Sequence, residues 1–150
     1  MNIFEYNYAV NKLTELALQK GFIKIPAQSR LSILAACEDP ETISQFVFAG
    51  INYPLPQTGQ LQLEADILKN PEIPGVFCET TSYRNEPFPI PGRHDKIFPM
   101  FEFEGRGDVD DLLTFSKEAL KLFGFPEPVE VNYEDICKKY KTSTIKPEHA

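Results

Sequence analysis

Arg84 and Glu86 stand two residues apart at the end of a strand-like run, so they share one face of it. The loop that follows carries Arg93, His94 and Lys96. The chain then returns through Phe98, and Glu102 and Glu104 fall on one face of the return strand. An arginine fork, a cationic loop and an aromatic plane thus converge within residues 82–104 of an acidic chain. This set suits an anionic planar ligand such as a nucleotide, with cations for phosphate and an aromatic face for the base. The same residues also fit an ordinary hairpin with a solvated charged tip, because charge-rich hairpin loops are common. Phe101 and Phe103, on the opposite face, read as core.

Two strands and a long connection must position these side chains. Residues 76–84 are rich in β-branched and aromatic types, and residues 98–104 form the second strand. Three prolines and Gly92 in residues 87–97 forbid helix and central strand alike, which predicts an antiparallel hairpin with an extended tip. Upstream, residues 3–20 read as an amphipathic helix. Phe4, Tyr8, Leu13, Leu16 and Ala17 fall on one face, with Glu5, Asn11, Lys12, Glu15 and Gln19 on the other. Gly21 ends this helix, and residues 22–25 read as a strand stopped by Pro26. Residues 31–45 are open between helix and turn. Residues 45–49 read as a strand, and residues 53–57 as a proline-punctuated segment. Thr58 reads as the N-cap of a helix over residues 60–69 that Asn70-Pro71 ends. Asp108 or Asp110 caps a further helix through Phe123, whose expected buried face is Val109, Leu112, Leu113, Leu120 and Phe123. Residues 129–133 read as a strand and 133–141 as a short helix, followed by a polar tail.

The chain has 150 residues, one domain's worth, and its 42% hydrophobic and 12% aromatic content excludes disorder. No run approaches the ~18–20 apolar residues of a membrane span. The N-terminus lacks the basic and apolar regions of a secretory signal. The net charge of −7 excludes a protein that grips nucleic acid with its whole surface, leaving only a local patch or another domain for that task. Cys37, Cys78 and Cys137 form no CxxC pair, so neither a zinc site nor a disulfide framework is expected. Free thiols in a reducing cytoplasm fit this pattern. His94 and His149 are too few for a His-rich metal site.

The stretch from Ser82 to Glu104 resembles motif 2 of the class II aminoacyl-tRNA synthetases. That motif is an aromatic residue, Arg-x-Glu, a loop with a basic residue or His, then Phe and a closing acid. Here it is matched by Tyr83, Arg84-Asn85-Glu86, Arg93-His94, Phe98 and Glu104. Gln57, Thr58 and Gln60 resemble a segment of the subclass that activates aspartate, asparagine and lysine. The helix ending at Gly21, followed by a strand ending at Pro26, is similar to motif 1. The three come in collinear order over residues 3–123.

The resemblance implies an α+β fold, an antiparallel sheet flanked by helices, corresponding to the N-terminal half of a class II catalytic domain. It implies an ATP-dependent ligase that forms an aminoacyl-adenylate, with aspartate or asparagine favoured, ATP as substrate and Mg²⁺ assisting. Arg84 would bridge the α-phosphate and the substrate carboxylate, and Glu86 would accept from the adenine amino group. Phe98 would stack on adenine, and Arg93 or His94 would meet the γ-phosphate. Gln57, Thr58, Gln60, Glu102 and Glu104 would attend the amino acid. It further implies a homodimer through motif 1 and tRNA as a partner held by domains outside these residues. Two other readings stay open: an asparagine-synthetase-type ligase that passes the adenylate to ammonia, and a non-catalytic module for dimerisation or amino-acid sensing. The family's Gly-rich motif 3 has no counterpart after Phe123, where residues 124–150 hold one glycine, Gly124. An excerpt of a longer protein or a reduced relative is therefore expected.

Overall fold

A computed structural model describes residues 2–26 and 40–141. Most of the open stretch at 31–45, and the tail from residue 142, lie outside the described residues. The chain divides into two compact units, Met1–Leu112 and Leu113–Ala150.

The first unit begins with α1 (Ile3–Gln19). Asn2 caps it by accepting from the amides of Phe4 and Glu5, while the Glu5 carboxylate accepts from the Asn2 amide. The helix closes at Gly21, whose φ of 77° only a residue without Cβ adopts freely. There the Phe22 amide donates to the Ala17 carbonyl at 2.9 Å and the Gly21 amide to that of Leu18 at 3.0 Å. The following strand β1 is shorter than expected, spanning Ile23–Lys24.

Strands β2 (Gln45–Phe48) and β3 (Ile51–Pro54) form a separate antiparallel hairpin. The first was expected; the second is a correction to the proline-punctuated segment. Its two-residue turn, Ala49-Gly50, has both φ values positive, at 50° and 76°, the geometry that matches strand twist in tight hairpins.

Helix α2 (Gln60–Lys69) leads into β4 (Gly75–Tyr83) and β5 (Ile97–Gly105). The sheet order is β1-β4-β5, with β1 parallel to β4 and β4 antiparallel to β5 over nine residue pairs, from Gly75 opposite Gly105 to Tyr83 opposite Ile97. Residues directly opposite share a face. One face carries Val76, Cys78, Thr80 and Ser82 with Glu104, Glu102, Met100 and Phe98. Here Val76 and Cys78 form a core with Leu63 and Ile67 of α2, joined by Ile25 and Ile73. The other face carries the fully buried Phe77, stacked on Phe101 at 5.5 Å, with Tyr6 of α1 hydrogen-bonded to Glu79 at 3.4 Å. Phe101 and Phe103 thus lie on the face expected of them. The sheet lies between α1 and α2, and burial of a side chain such as Phe77 or Leu63 is worth ~1.5–3 kcal/mol.

Helix α3 (Val109–Leu122) begins where Asp108 was expected to cap it: the Asp108 carboxylate accepts from the Asp110 amide at 2.9 Å. Its expected buried face is corrected. Val109, Leu112, Leu113, Leu120 and Phe123 are all exposed, and Phe115 is the residue of this helix that is buried. Helix α4 (Tyr133–Tyr140) is capped by Asn132, whose side chain accepts from the Asp135 amide at 3.2 Å. No strand forms at 129–133. No helix among the described residues is long and apolar enough to cross a membrane.

Candidate functional site

At the open end of the β4–β5 hairpin, the strand pairing stops at Tyr83, one residue before Arg84. The Arg84 amide still donates to the Lys96 carbonyl at 2.7 Å, so its backbone stays in register with the returning chain. Its guanidinium Nε donates to the Ser82 hydroxyl at 3.3 Å, and its central carbon lies 5.7 Å from the centre of the Phe98 ring. Ser82 pairs with Phe98 across the ladder, which puts the arginine fork and the aromatic plane on one face. Glu86 lies beyond the strand and is half-buried, so the shared strand face expected for Arg84 and Glu86 is corrected.

Ser82 is the residue that sequence reasoning missed. It is fully buried and its hydroxyl donates to the Gln57 carbonyl at 2.8 Å. The Tyr83 amide donates to the Pro56 carbonyl at 2.9 Å, so the segment before α2 runs alongside β4. The Gln57 side chain, 4% exposed, donates to the Thr42 hydroxyl at 2.7 Å. A continuous path of bonds therefore runs from Arg84 through Ser82 and Gln57 to Thr42. The available sequence signal was period-two spacing: Ser82 is a small polar residue on the same strand face as Arg84.

A second cluster lies over the middle of β5. The Glu102 carboxylate accepts from the Gly59 amide at 2.8 Å and from the Thr58 hydroxyl. Gly59, not Thr58, occupies the N-cap position of α2. Thr58 serves from one place earlier, its hydroxyl accepting from the Gln60 amide at 3.1 Å. A carboxylate at a helix N-terminus is favoured by the helix dipole. The Gln60 side chain donates to Glu64 at 2.8 Å. Glu104 faces the same helix. Burial, and after it the Glu64 carboxylate, push its pKa above the ordinary value. Cys78, between these acids and the core, is pushed up to about 11 by burial first and then by Glu102 and Glu79, so it stays a thiol.

The loop tip stands apart. Arg93 is exposed, and His94 closes its own turn, with Nδ1 accepting from the Ile90 amide at 3.3 Å. Among the described residues, no bond joins Arg93 or His94 to Arg84 or Phe98. No group of three or more His, Cys, Asp or Glu side chains among the described residues could hold a metal ion.

The fold is class II aminoacyl-tRNA synthetase catalytic-core-like, a likeness shared with solved asparaginyl-tRNA synthetase structures. One is the asparaginyl-tRNA synthetase of Pyrococcus horikoshii complexed with asparaginyl-adenylate, at a TM-score of 0.68 and 22% identity, over 77% of this chain and 26% of that one. The Entamoeba histolytica asparaginyl-tRNA synthetase in complex with asparaginyl-adenylate superposes at 0.65 with 19% identity, over 89% of this chain and 33% of that one. A further structure of the Entamoeba enzyme gives 0.64 and 19%, over 90% and 35%. The chain thus spans between 26% and 35% of the length of these neighbours. No family model and no curated protein sequence matches it.

Proposed function

We propose that this chain carries the motif 2 side of an amino-acid-activating site, in which ATP and an amino acid, aspartate or asparagine favoured, form an aminoacyl-adenylate. The observation that carries the reading is the Arg84 guanidinium, fixed by Ser82 and laid against Phe98. In the reaction a carboxylate oxygen of the amino acid attacks the α-phosphorus. The bond to the bridging oxygen breaks, and pyrophosphate leaves with the electron pair. The nucleophile is already ionised, so no general base is required; orientation and charge stabilisation supply the rate. Arg84 bridges the carboxylate and the α-phosphate, which its planar fork suits and a lysine would not. Phe98 stacks on adenine, Glu86 accepts from its amino group, and Arg93 or His94 reaches the γ-phosphate. Gln57, Thr58, Gln60, Glu102 and Glu104 attend the amino acid.

Mg²⁺ travelling with the triphosphate would neutralise phosphate charge. The proposal includes a cytoplasmic homodimer and transfer to tRNA held by domains outside these residues, with ammonia as the alternative acceptor. A second reading, a non-catalytic sensing or dimerising module, draws on a different observation: Gln57 and Glu102 are already bonded within the protein.

ATP–pyrophosphate exchange with each amino acid, run on the natural full-length protein, tests the reading. Exchange dependent on aspartate or asparagine is expected. Arg84→Ala should lower it by about 3–4 kcal/mol of transition-state stabilisation, on the order of 10²–10³-fold, with the melting temperature kept. An unchanged rate in that variant overturns the assignment of Arg84, and absence of exchange with every amino acid overturns the activity.

A further inference from the structure

Strand β5 and the residue that follows it grip both ends of α2. Glu102, on β5, holds the helix N-terminus through the Gly59 amide at 2.8 Å and the Thr58 hydroxyl. Four residues on, Arg106 holds the other end. Its guanidinium donates to the Ile67 carbonyl, to the Ile73 carbonyl at 3.2 Å and to the Asn70 carbonyl at 3.4 Å. Its own amide donates to the Pro74 carbonyl at 2.9 Å. The lengths match: four extended residues cover ~13 Å, and a ten-residue helix such as α2 is ~15 Å long. The signs match as well, since an anion lies at the positive end of the helix dipole and a cation at the negative end.

Lys69 is the one basic residue in the last turn of α2, and a lysine lacks the fork that reaches several carbonyls at once. Between the two clamps Leu63 and Ile67 pack on Val76 and Cys78, so the core seats the middle of α2 and the clamps fix its two ends. What they hold in place is the segment carrying Gln57, Thr58 and Gln60.

We propose that Arg106 is a positioning residue: by anchoring the C-terminal end of α2 to β5, opposite the Glu102 anchor, it sets the height of residues 57–60 over the sheet and so shapes the amino-acid side of the site. This rests on the amino-acid-activation reading for its functional part alone. Arg106 lies just past the Gly75–Gly105 end of the hairpin, whereas Arg84 and Phe98 lie at the other, nine paired residues or ~27 Å away. Its loss should therefore touch the amino acid and spare ATP.

The test uses Arg106→Ala and Arg106→Lys in the full chain, the lysine keeping the charge without the fork. Amide hydrogen exchange by mass spectrometry should show α2 and the turn after it exchanging at least about tenfold faster in both variants, with β4 and β5 unchanged. Added guanidinium ion should restore protection to the alanine variant and not to the lysine one. In the exchange assay, KM for the amino acid should rise about tenfold while KM for ATP stays within about twofold. Unchanged exchange in α2 overturns the clamp. So does an equal loss of protection throughout β4 and β5, which would make Arg106 a general stabiliser, or an equal rise in both KM values. If no amino acid supports pyrophosphate exchange in the wild type, the activity reading fails, and the clamp is decided by the α2 amides alone.

Discussion

Among the described residues Arg84 bonds through Nε to Ser82 and through neither Nη, which leaves both Nη groups for a ligand on the Phe98 face. Phe98 itself is half-buried, intermediate between a core residue and a ligand platform. If it stacks on adenine, Phe98→Ala weakens ATP binding by about 1–3 kcal/mol while Phe98→Tyr is mild. Nucleotide titration together with thermal melting decides: a sharp fall in melting temperature would instead make Phe98 a core residue. Glu104 supplies a prediction in pH. Its raised pKa means that the folded state holds the proton more tightly than the unfolded chain does. That contribution favours the fold below the ordinary carboxylate value of 4.5 and is lost as pH rises through the raised folded value. Glu104→Gln removes the titration. The variant should melt higher than the wild type near pH 7, and the gap should close towards pH 4. A gap that stays constant over that range would mean Glu64 and burial do not act on Glu104 as described.

At the scale of elements, the seat of Phe22 controls how α1 meets the sheet. Gly75 and Gly105 are paired across β4 and β5, and a Cβ on Gly75 would come within 2.5 Å of the Phe22 ring, one on Gly105 within 2.9 Å. Gly75→Ala should cost roughly 1–3 kcal/mol in chemical denaturation, because the ring cannot move away without disturbing the Schellman-type turn that begins at Ala17. A variant as stable as the wild type would show that Phe22 has room. The β4–β5 hairpin was legible in the sequence because strand pairing and side alternation are local, and the prolines of its loop leave few alternatives. Strand β3 was not, since its turn uses Ala49, a residue type that rarely takes a φ of 50°, where Asn-Gly would have announced it. The apolar spacing of α3 marked a face, but periodicity alone does not say what covers it, and that face is exposed. Of the candidate site, Arg84 and Phe98 came together as the spacing implied. The bonds of Glu102 to the α2 N-terminus and of Arg106 to its C-terminus join residues some 40 apart and left no local pattern.

For the molecule as a whole, α1 divides its apolar stripe in two. Its C-terminal part, Leu16 and Ala17, is buried, whereas Phe4 is 82% and Tyr8 52% exposed, and Ile23 of β1 is 48% exposed. A helix whose apolar face served its own sheet alone would have no reason to carry Phe4 in its first turn, 82% exposed. Among the described residues β1 pairs with β4 alone, and Pro26 stops pairing from running on beyond it. Exposed apolar side chains such as Phe4 and Ile23, beside a short strand with one edge unpaired among the described residues, suit an isologous contact, in which the same patch meets itself and closes at two copies. A stable interface of this kind buries about 800 Å² on each partner. Light scattering at micromolar concentration should therefore give a particle of twice 17.1 kDa for the wild type. Phe4→Glu, exposed in the monomer and so harmless to its fold, should return the mass to 17.1 kDa with the melting curve of unit one little changed at low concentration. A wild-type particle of 17.1 kDa would remove both the dimer and the role assigned to the motif 1-like segment, and a dimer that survives Phe4→Glu would move the interface elsewhere.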